Sequence, residues 1–183
     1  MATKINFSSK IFIVVLAIFM VMFSIQAKAD DHQLKETELS GYFHDYISVG
    51  PNTPDLLIVG FPGKVWKYDQ FGTLSVFDDL LTEGSELTSP KVGRVQGIAV
   101  SVSLDGLNAQ ISGSLVFTNE AYNGSTIQIL GVGNQFSLVQ EYGVTSRTGK
   151  FRYATGYVTM ELISFDPSIS YALFRGNVTI RHY

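Results

Sequence analysis

The chain has 183 residues, of which 45% are hydrophobic, with no cysteine and a formal net charge of −3. A mildly acidic chain without clusters of basic residues is a poor nucleic-acid binder. Without cysteine no disulfide can brace the fold, so a hydrophobic core alone must hold it.

The first 29 residues have the pattern of a secretory signal peptide. Two early lysines precede an uncharged run of 15 residues, Ile11 to Ile25, and Ala27 to Ala29 offers an A-x-A cleavage site. The alternative is a membrane anchor, but a helix of that length rises only about 22 Å against a hydrocarbon core of ~30 Å. Cleavage would remove three lysines and leave 154 residues, 30–183, with a formal charge of −6. That length suits one domain.

Nine later segments alternate with a period of two or form short apolar runs, as β-strands do. In chain order they are 38–48, 56–61, 74–81, 92–104, 109–117, 126–132, 136–144, 151–164 and 169–183. The strongest hairpin signal between them is Asp105-Gly106. No helical apolar period persists for three turns, so the pattern predicts an all-β sandwich or barrel. Glycines inside strands, such as Gly97 and Gly176, favour a barrel, and eight strands enclose room for one small ligand.

Two carboxylates share a strand face with apolar residues. Asp45 follows Phe43 by two residues and so lies on the same strand face, and Asp78 follows Val76 in the same way. A carboxylate in such a place is paired, protonated or at work, so Asp45 is our first candidate for a catalytic acid and Asp78 the second. The alternatives are an Asp45 satisfied by backbone donors or an arginine, and an Asp78 that braces the following loop. Asp79 lies on the opposite strand face from Asp78, and we expect its carboxylate to be solvated or to accept a hydrogen bond in a turn.

Other side chains are candidates for substrate contacts. Arg94 and Gln96 share one face of a long strand and either bind a phenol oxygen or lie outside at a subunit contact. The candidate aromatic walls for a planar substrate are Phe43, Tyr153, Tyr157 and Phe174. The alternative for these four is plain core, which is the more frequent role of aromatic residues in strands. Three scattered histidines without cysteine indicate no metal site.

Several segments resemble the signature motifs of plant dirigent proteins. Phe71 to Gly84 reads FGTLSVFDDLLTEG, which matches the family's FGxxxVxDDxLTEG, and Val92 to Gly97 reads VGRVQG, against VGRAQG. Phe43 to Asp45 is similar to the family's FHD, and Phe117 to Thr126 to its FTxxxYNGST. Thr148 to Ala154 resembles the first part of GTGxFRxARGY. The motifs follow one another in order over nearly the whole mature chain.

The resemblance implies an eight-stranded antiparallel barrel, similar in shape to lipocalins and allene oxide cyclases. It implies a secreted protein of the plant apoplast that forms homo-oligomers, usually trimers, with dimers as the alternative. The implied role needs no cofactor: the protein steers the coupling of two phenoxy radicals, such as those of coniferyl alcohol, into one lignan enantiomer. A separate laccase or peroxidase supplies the radicals. Some relatives are lyases that close pterocarpans through a quinone methide, and a carrier of small apolar metabolites is a third hypothesis.

Two positions depart from the family's motifs. Thr155 replaces the arginine of ARGY, which lies in the family's cavity, and Lys150 replaces the carboxylate of GTGDF. We therefore expect Thr155 to contact substrate without supplying a positive charge. Sequons at Asn123 and Asn177 are available for glycosylation of an exported chain.

Overall fold

The computed structural model describes residues 35–46, 55–59 and 67–182, together with the single positions 14 and 16. The chain divides into two units, Met1–Gln33 and Leu34–Tyr183. The expected signal peptide lies outside the described residues, apart from those two positions. Among the described residues, no helix has the length and apolar character needed to cross a bilayer.

The described part of the second unit consists of nine strands and one short 3₁₀ helix. The strands are β1 (Lys35–Tyr46), β2 (Asp55–Val59), β3 (Leu74–Thr82), β4 (Lys91–Ser101), β5 (Asn108–Phe117), β6 (Thr126–Asn134), β7 (Val139–Arg147), β8 (Thr155–Asp166) and β9 (Tyr171–His182), and the 3₁₀ helix is Gly149–Phe151. All pairings are antiparallel.

Eight of these strands close into a barrel, which confirms the predicted fold class. The sheet runs β1-β9-β8-β7-β6-β5-β4-β3, and an additional β1–β3 pairing joins its ends. The β1–β9 ladder extends from Lys35↔His182 to Tyr46↔Tyr171. The closing seam is much shorter, with three pairs from Tyr42↔Thr82 to His44↔Leu80. The short strand β2 pairs with the other half of β3, so β1 and β2 share one edge of that strand.

Strand β8 begins later than the alternation predicts. The sequence places a strand from residue 151, but Phe151 ends the 3₁₀ helix and Tyr153 has a φ of 71°. That left-handed conformation is uncommon for a residue with a side chain, and it interrupts an extended strand. Extended backbone therefore starts only at Thr155.

The predicted Asp105-Gly106 hairpin is confirmed as the β4–β5 connection. Gly106 has a φ of 73°, and the Asp105 carboxylate accepts a hydrogen bond from the Leu107 backbone N–H at 3.0 Å. A Cβ at position 106 would lie 1.8 Å from the carbonyl oxygen of Asp69. Only glycine fits both requirements, because it tolerates positive φ and has no Cβ.

The hydrophobic core is concentrated toward one end of the barrel, where β3 ends and β4 begins. Its most deeply buried members include Leu115, Ile127, Val158 and Ile180, each at most 2% exposed. Burial of each such side chain stabilises the fold by about 1.5–3 kcal/mol. The opposite end contains more polar inward side chains and holds the candidate site.

Candidate functional site

A cavity of about 180 Å³ lies inside the barrel at the end where β1 stops and β3 starts. Its lining residues are Phe43, Asp45, Tyr68, Ser75, Phe77, Asp79, Val95, Ala99, Ala109, Ile111, Ile129, Gln135, Gln140, Tyr142, Met160 and Phe174. We call it the carboxylate cavity, after Asp45 and Asp79. An apolar cavity of ~150 Å³ holds benzene, so this volume encloses about one aromatic ring.

Close glycine–phenylalanine contacts shape the walls of the carboxylate cavity. A Cβ at Gly176 of β9 would lie 2.3 Å from the Phe43 ring, and one at Gly97 of β4 would lie 2.7 Å from the Phe77 ring. Each ring therefore lies against bare backbone, because no side chain intervenes. The in-strand glycines that predicted a barrel thus also leave room for its inward aromatic rings.

Asp45 and Asp79 both line the carboxylate cavity. Asp45 is on β1 and Asp79 on β3, each one residue beyond the His44↔Leu80 pair of the closing seam. That register makes them neighbours across the two strands on the inner face. Asp79 is only 7% exposed, so the expectation that it is solvated was wrong.

Three further polar residues line the cavity and were not among the predicted site residues: Gln135, Gln140 and Tyr142. Burial raises the pKa of Tyr142 to about 12, so its phenol keeps its proton and donates it in a hydrogen bond to Gln140. The Gln135 amide donates to the carbonyl oxygen of Gly106 at 3.0 Å, which ties it to the β4–β5 turn. Strand alternation could have placed Tyr142 and Gln140 on one face, whereas Gln135 lies in a turn that no periodicity describes.

The structure places Asp78, Arg94 and Gln96 on the outer face of the barrel. The Arg94 guanidinium donates to both the carboxylate and the backbone carbonyl of Asp78, and the two side chains are 43% and 47% exposed. Asp78 is therefore not a second acid in the cavity; the inward carboxylate of β3 is Asp79. An exposed ion pair of this kind contributes about 0–1 kcal/mol to stability.

Four candidate aromatic residues and Thr155 divide between the two faces. Phe43 and Phe174 line the carboxylate cavity. Tyr153, Thr155 and Tyr157 are exposed and do not line it, and Tyr153 is 76% exposed on its turn. Inward positions of β8 have even numbers, as Val158 and Met160 show, so Thr155 and Tyr157 point outward.

His44 lies outside the cavity but is 1% exposed. The Thr82 hydroxyl donates to the carbonyl oxygen of Gly84 at 2.7 Å, so it accepts from His44 Nε2 at 2.8 Å. His44 Nδ1 is then the acceptor for the Tyr171 hydroxyl at 2.7 Å. Burial lowers the pKa of His44, and the carboxylate of Glu86 opposes this only in part.

Stability is therefore expected to fall as the pH falls below about 6.5, the pKa of histidine in an unfolded chain. The unfolded state binds a proton there more readily than the native state, so protonation favours unfolding. Urea unfolding of the wild type and of His44→Gln, measured between about pH 5 and pH 8, should show the extra loss at low pH only in the wild type. Parallel curves for the two proteins would contradict this assignment.

The described residues contain no group of three or more His, Asp or Glu side chains that could hold a metal ion.

The two sequons lie in different settings. Asn123 is exposed in the turn between β5 and β6, whereas Asn177 is half-buried in β9 and accepts a hydrogen bond from Ser40 at 2.8 Å.

Comparison with known proteins agrees with the resemblance in the sequence. The family model described as "Dirigent-like protein" matches residues 36–181. Pterocarpan synthase 1 of Glycine max is 36% identical over 149 residues, which cover 80% of this chain and 79% of that protein. Dirigent protein 1 of Arabidopsis thaliana is 35% identical over 143 residues, covering 76% of this chain and 78% of that protein.

Solved structures match the barrel itself. The pterocarpan synthase dirigent protein GePTS1 superimposes with a TM-score of 0.73 at 32% identity, covering 82% of this chain and 92% of the other. A heme-binding cyclase of neoabyssomicin biosynthesis, at 13% identity and a TM-score of 0.54, shares only the fold. The family match covers most of the chain, and both relatives exceed 30% identity over more than two thirds of it. The chain therefore belongs to the family of dirigent-like proteins.

Proposed function

We propose that the carboxylate cavity holds one phenolic ring and directs the coupling of phenoxy radicals, such as those of coniferyl alcohol, into one enantiomer. A separate laccase or peroxidase supplies the radicals. The observation that carries the proposal is the pair of inward carboxyl groups, Asp45 and Asp79, in a cavity walled by Phe43, Phe77 and Phe174. The family membership and the ring-sized volume support it.

The aromatic walls would control which face of a bound radical reacts. A flat ring enclosed by Phe43, Phe77 and Phe174 is shielded on the sides they cover, so the second radical attacks from the open end. The two radicals pair their electrons in one new carbon–carbon bond. The product is a bis-quinone methide.

The carboxyl groups would then assist ring closure. A hydroxyl oxygen attacks the quinone-methide carbon, and the carbonyl oxygen takes a proton from one carboxyl group while the hydroxyl proton passes to the neighbouring carboxylate. The step is balanced, because one proton is given and one is received. Two carboxyl groups held side by side suit such a relay, since like charges at close range favour sharing one proton.

The test is oxidation of coniferyl alcohol by a one-electron oxidant, with and without the protein, followed by chiral chromatography. We expect an excess of one enantiomer only when the protein is present. The oxidation rate itself should not change. Racemic products from coniferyl alcohol and from other monolignols would overturn the proposal.

A lyase that closes a quinone methide within one molecule is the second candidate. Pterocarpan synthase 1 of Glycine max and GePTS1 are both similar to this chain over most of its length. The ring-sized cavity also fits one substrate better than two. In that reaction a carboxyl group protonates the leaving hydroxyl of an isoflavanol-like substrate, and the C–O bond breaks as water departs. A phenol hydroxyl of the substrate gives its proton to the neighbouring carboxylate, which leaves a quinone methide. A second hydroxyl then adds to the quinone-methide carbon and closes the ring, and its proton passes to the carbonyl oxygen. Turnover without any oxidant would distinguish it from radical coupling.

The outer face of β4 and β6 supports a homo-oligomer. Ile98 of β4 pairs with Ser112 of β5, and Ser112 pairs with Leu130 of β6, so Ile98 and Leu130 lie in line across the sheet. Val132 is the next outward residue along β6 and extends the patch. All three apolar side chains are at least 41% exposed. A cluster of this kind on an outer sheet face is typical of a subunit contact.

We also propose secretion through residues 1–29, with Asn123 as the more accessible sequon.

A further inference from the structure

A second cavity, of about 290 Å³, lies toward the opposite end of the barrel from the carboxylate cavity. Phe43 lines both cavities and separates them. The floor of the second cavity is apolar and comes from the core: Leu81, Leu115, Phe117 and Val178, each at most 3% exposed. The volume is about twice the ~150 Å³ that holds benzene.

One wall of the second cavity is held by a cluster of three aromatic rings. The Tyr122 and Phe151 rings stack with centroids 5.1 Å apart, and the Phe117 ring meets Tyr122 nearly edge-on at 5.6 Å. Phe117 and Phe151 are themselves 5.1 Å apart. Such mutual contacts fix the rings that face the cavity, Phe117 and Tyr122, before any ligand arrives.

Among the residues that the structure describes, the lining of the second cavity includes two carboxylates and no cation. Glu38 on β1 and Glu83 just beyond β3 both line the cavity, and both are exposed. Glu38 belongs to the even-numbered, outward set of β1, so it borders the cavity at its rim. Its other polar residues are Ser40, Asn119 and Tyr122. Neither glutamate forms an ion pair with any residue in the described part of the chain. The cavity thus combines an apolar floor, aromatic rings and a negative entrance.

We propose that the second cavity binds a small organic cation, namely a protonated amine that carries one aromatic ring. The ring would lie on the apolar floor, and the ammonium group would lie between Glu38 and Glu83. The rings of Phe117 and Tyr122 add to the attraction, because a cation is stabilised near an aromatic face. A phenolate or carboxylate ligand would instead be repelled by the two glutamates. This chemistry is independent of the reaction proposed for the carboxylate cavity.

The experiment compares three probes that share a phenyl body and differ in charge: phenethylamine, phenethyl alcohol and phenylacetate. Each is titrated into the isotope-labelled chain at about pH 7, where the amine is protonated, and followed by amide chemical shifts. We expect phenethylamine to bind about tenfold more tightly than phenethyl alcohol, and phenylacetate more weakly still. Shifts should occur at Glu83, Asn119 and Tyr122 and not at Gln140 or Tyr142.

A charge-neutralised variant distinguishes recognition of the ammonium group from nonspecific binding. Glu38→Gln/Glu83→Gln should lower the affinity for phenethylamine about tenfold and leave that for phenethyl alcohol unchanged. Glu141→Gln is the matched control, because Glu141 is an exposed glutamate of β7 that lines neither cavity. Equal affinity for all three probes, shifts at Tyr142, or an unchanged affinity in the double variant would overturn the proposal.

Discussion

Asp45→Asn and Asp79→Asn are each expected to lower the rate of ring closure by about 100-fold or more, while Asp78→Asn leaves it unchanged. General acid–base catalysis by a positioned side chain contributes about 10²–10⁴-fold. An amide has nearly the shape of a carboxyl group but neither gives nor takes a proton at the pH of the assay. The measurement is product formation per unit time, with chiral analysis of the product.

Asp78 is an unusually close control for Asp79. The two residues are adjacent in sequence and differ in face, since Asp79 lines the carboxylate cavity and Asp78 pairs with Arg94 outside. A circular dichroism spectrum and a urea midpoint for each variant would show that the barrel is intact. If Asp45→Asn and Asp79→Asn both turned over like the wild type, the carboxyl groups would have no part in the chemistry.

Phe43→Ala is expected to lower the free energy of unfolding by about 3–5 kcal/mol, the usual cost of removing a buried phenylalanine ring. Phe43 is 2% exposed and forms the partition between the two cavities. Its loss therefore joins them into one larger void that the glycine beneath, Gly176, cannot fill. Urea unfolding monitored by fluorescence gives the value, with the m-value showing whether the transition stays two-state.

An exposed phenylalanine provides the comparison. Phe71 is 52% exposed, so Phe71→Ala should cost less than about 1 kcal/mol. If Phe43→Ala does not fold at all, Phe43→Leu keeps most of the volume and should cost about 1–1.5 kcal/mol. Similar losses for Phe43→Ala and Phe71→Ala would mean that Phe43 is not a structural partition.

Alternation along single strands was sufficient to predict much of the fold. It grouped Phe43 with Asp45 on β1, and Phe174 with Gly176 on β9, and the structure turns both groups inward. The positions of turns also followed from local chemistry, as Gly106 shows. These features depend on residues close together in sequence, so one sequence can reveal them.

The prediction of the site was wrong where the inward face of a strand depends on a contact with the neighbouring strand. On β3 the more apolar set, with Leu74 and Val76, lies outward, and the inward set contains Ser75 and Asp79. The ring of Phe77 compensates by spreading over Gly97 of β4. No pattern within either strand reports that contact, so parity alone could not say whether Asp78, Arg94 and Gln96 face the cavity or the outside.

The β1–β9 ladder has a consequence for the order in which the molecule is made. Lys35 pairs with His182, so the first barrel strand can complete its longest ladder only after β9 has been made. The ribosome makes β1 first and β9 last of the nine strands. The hairpins made in between do not provide β1 with the partner that β9 supplies. Contacts of such long sequence separation are slow to form. Strand β1 therefore stays unpaired along that edge until β9 has been made.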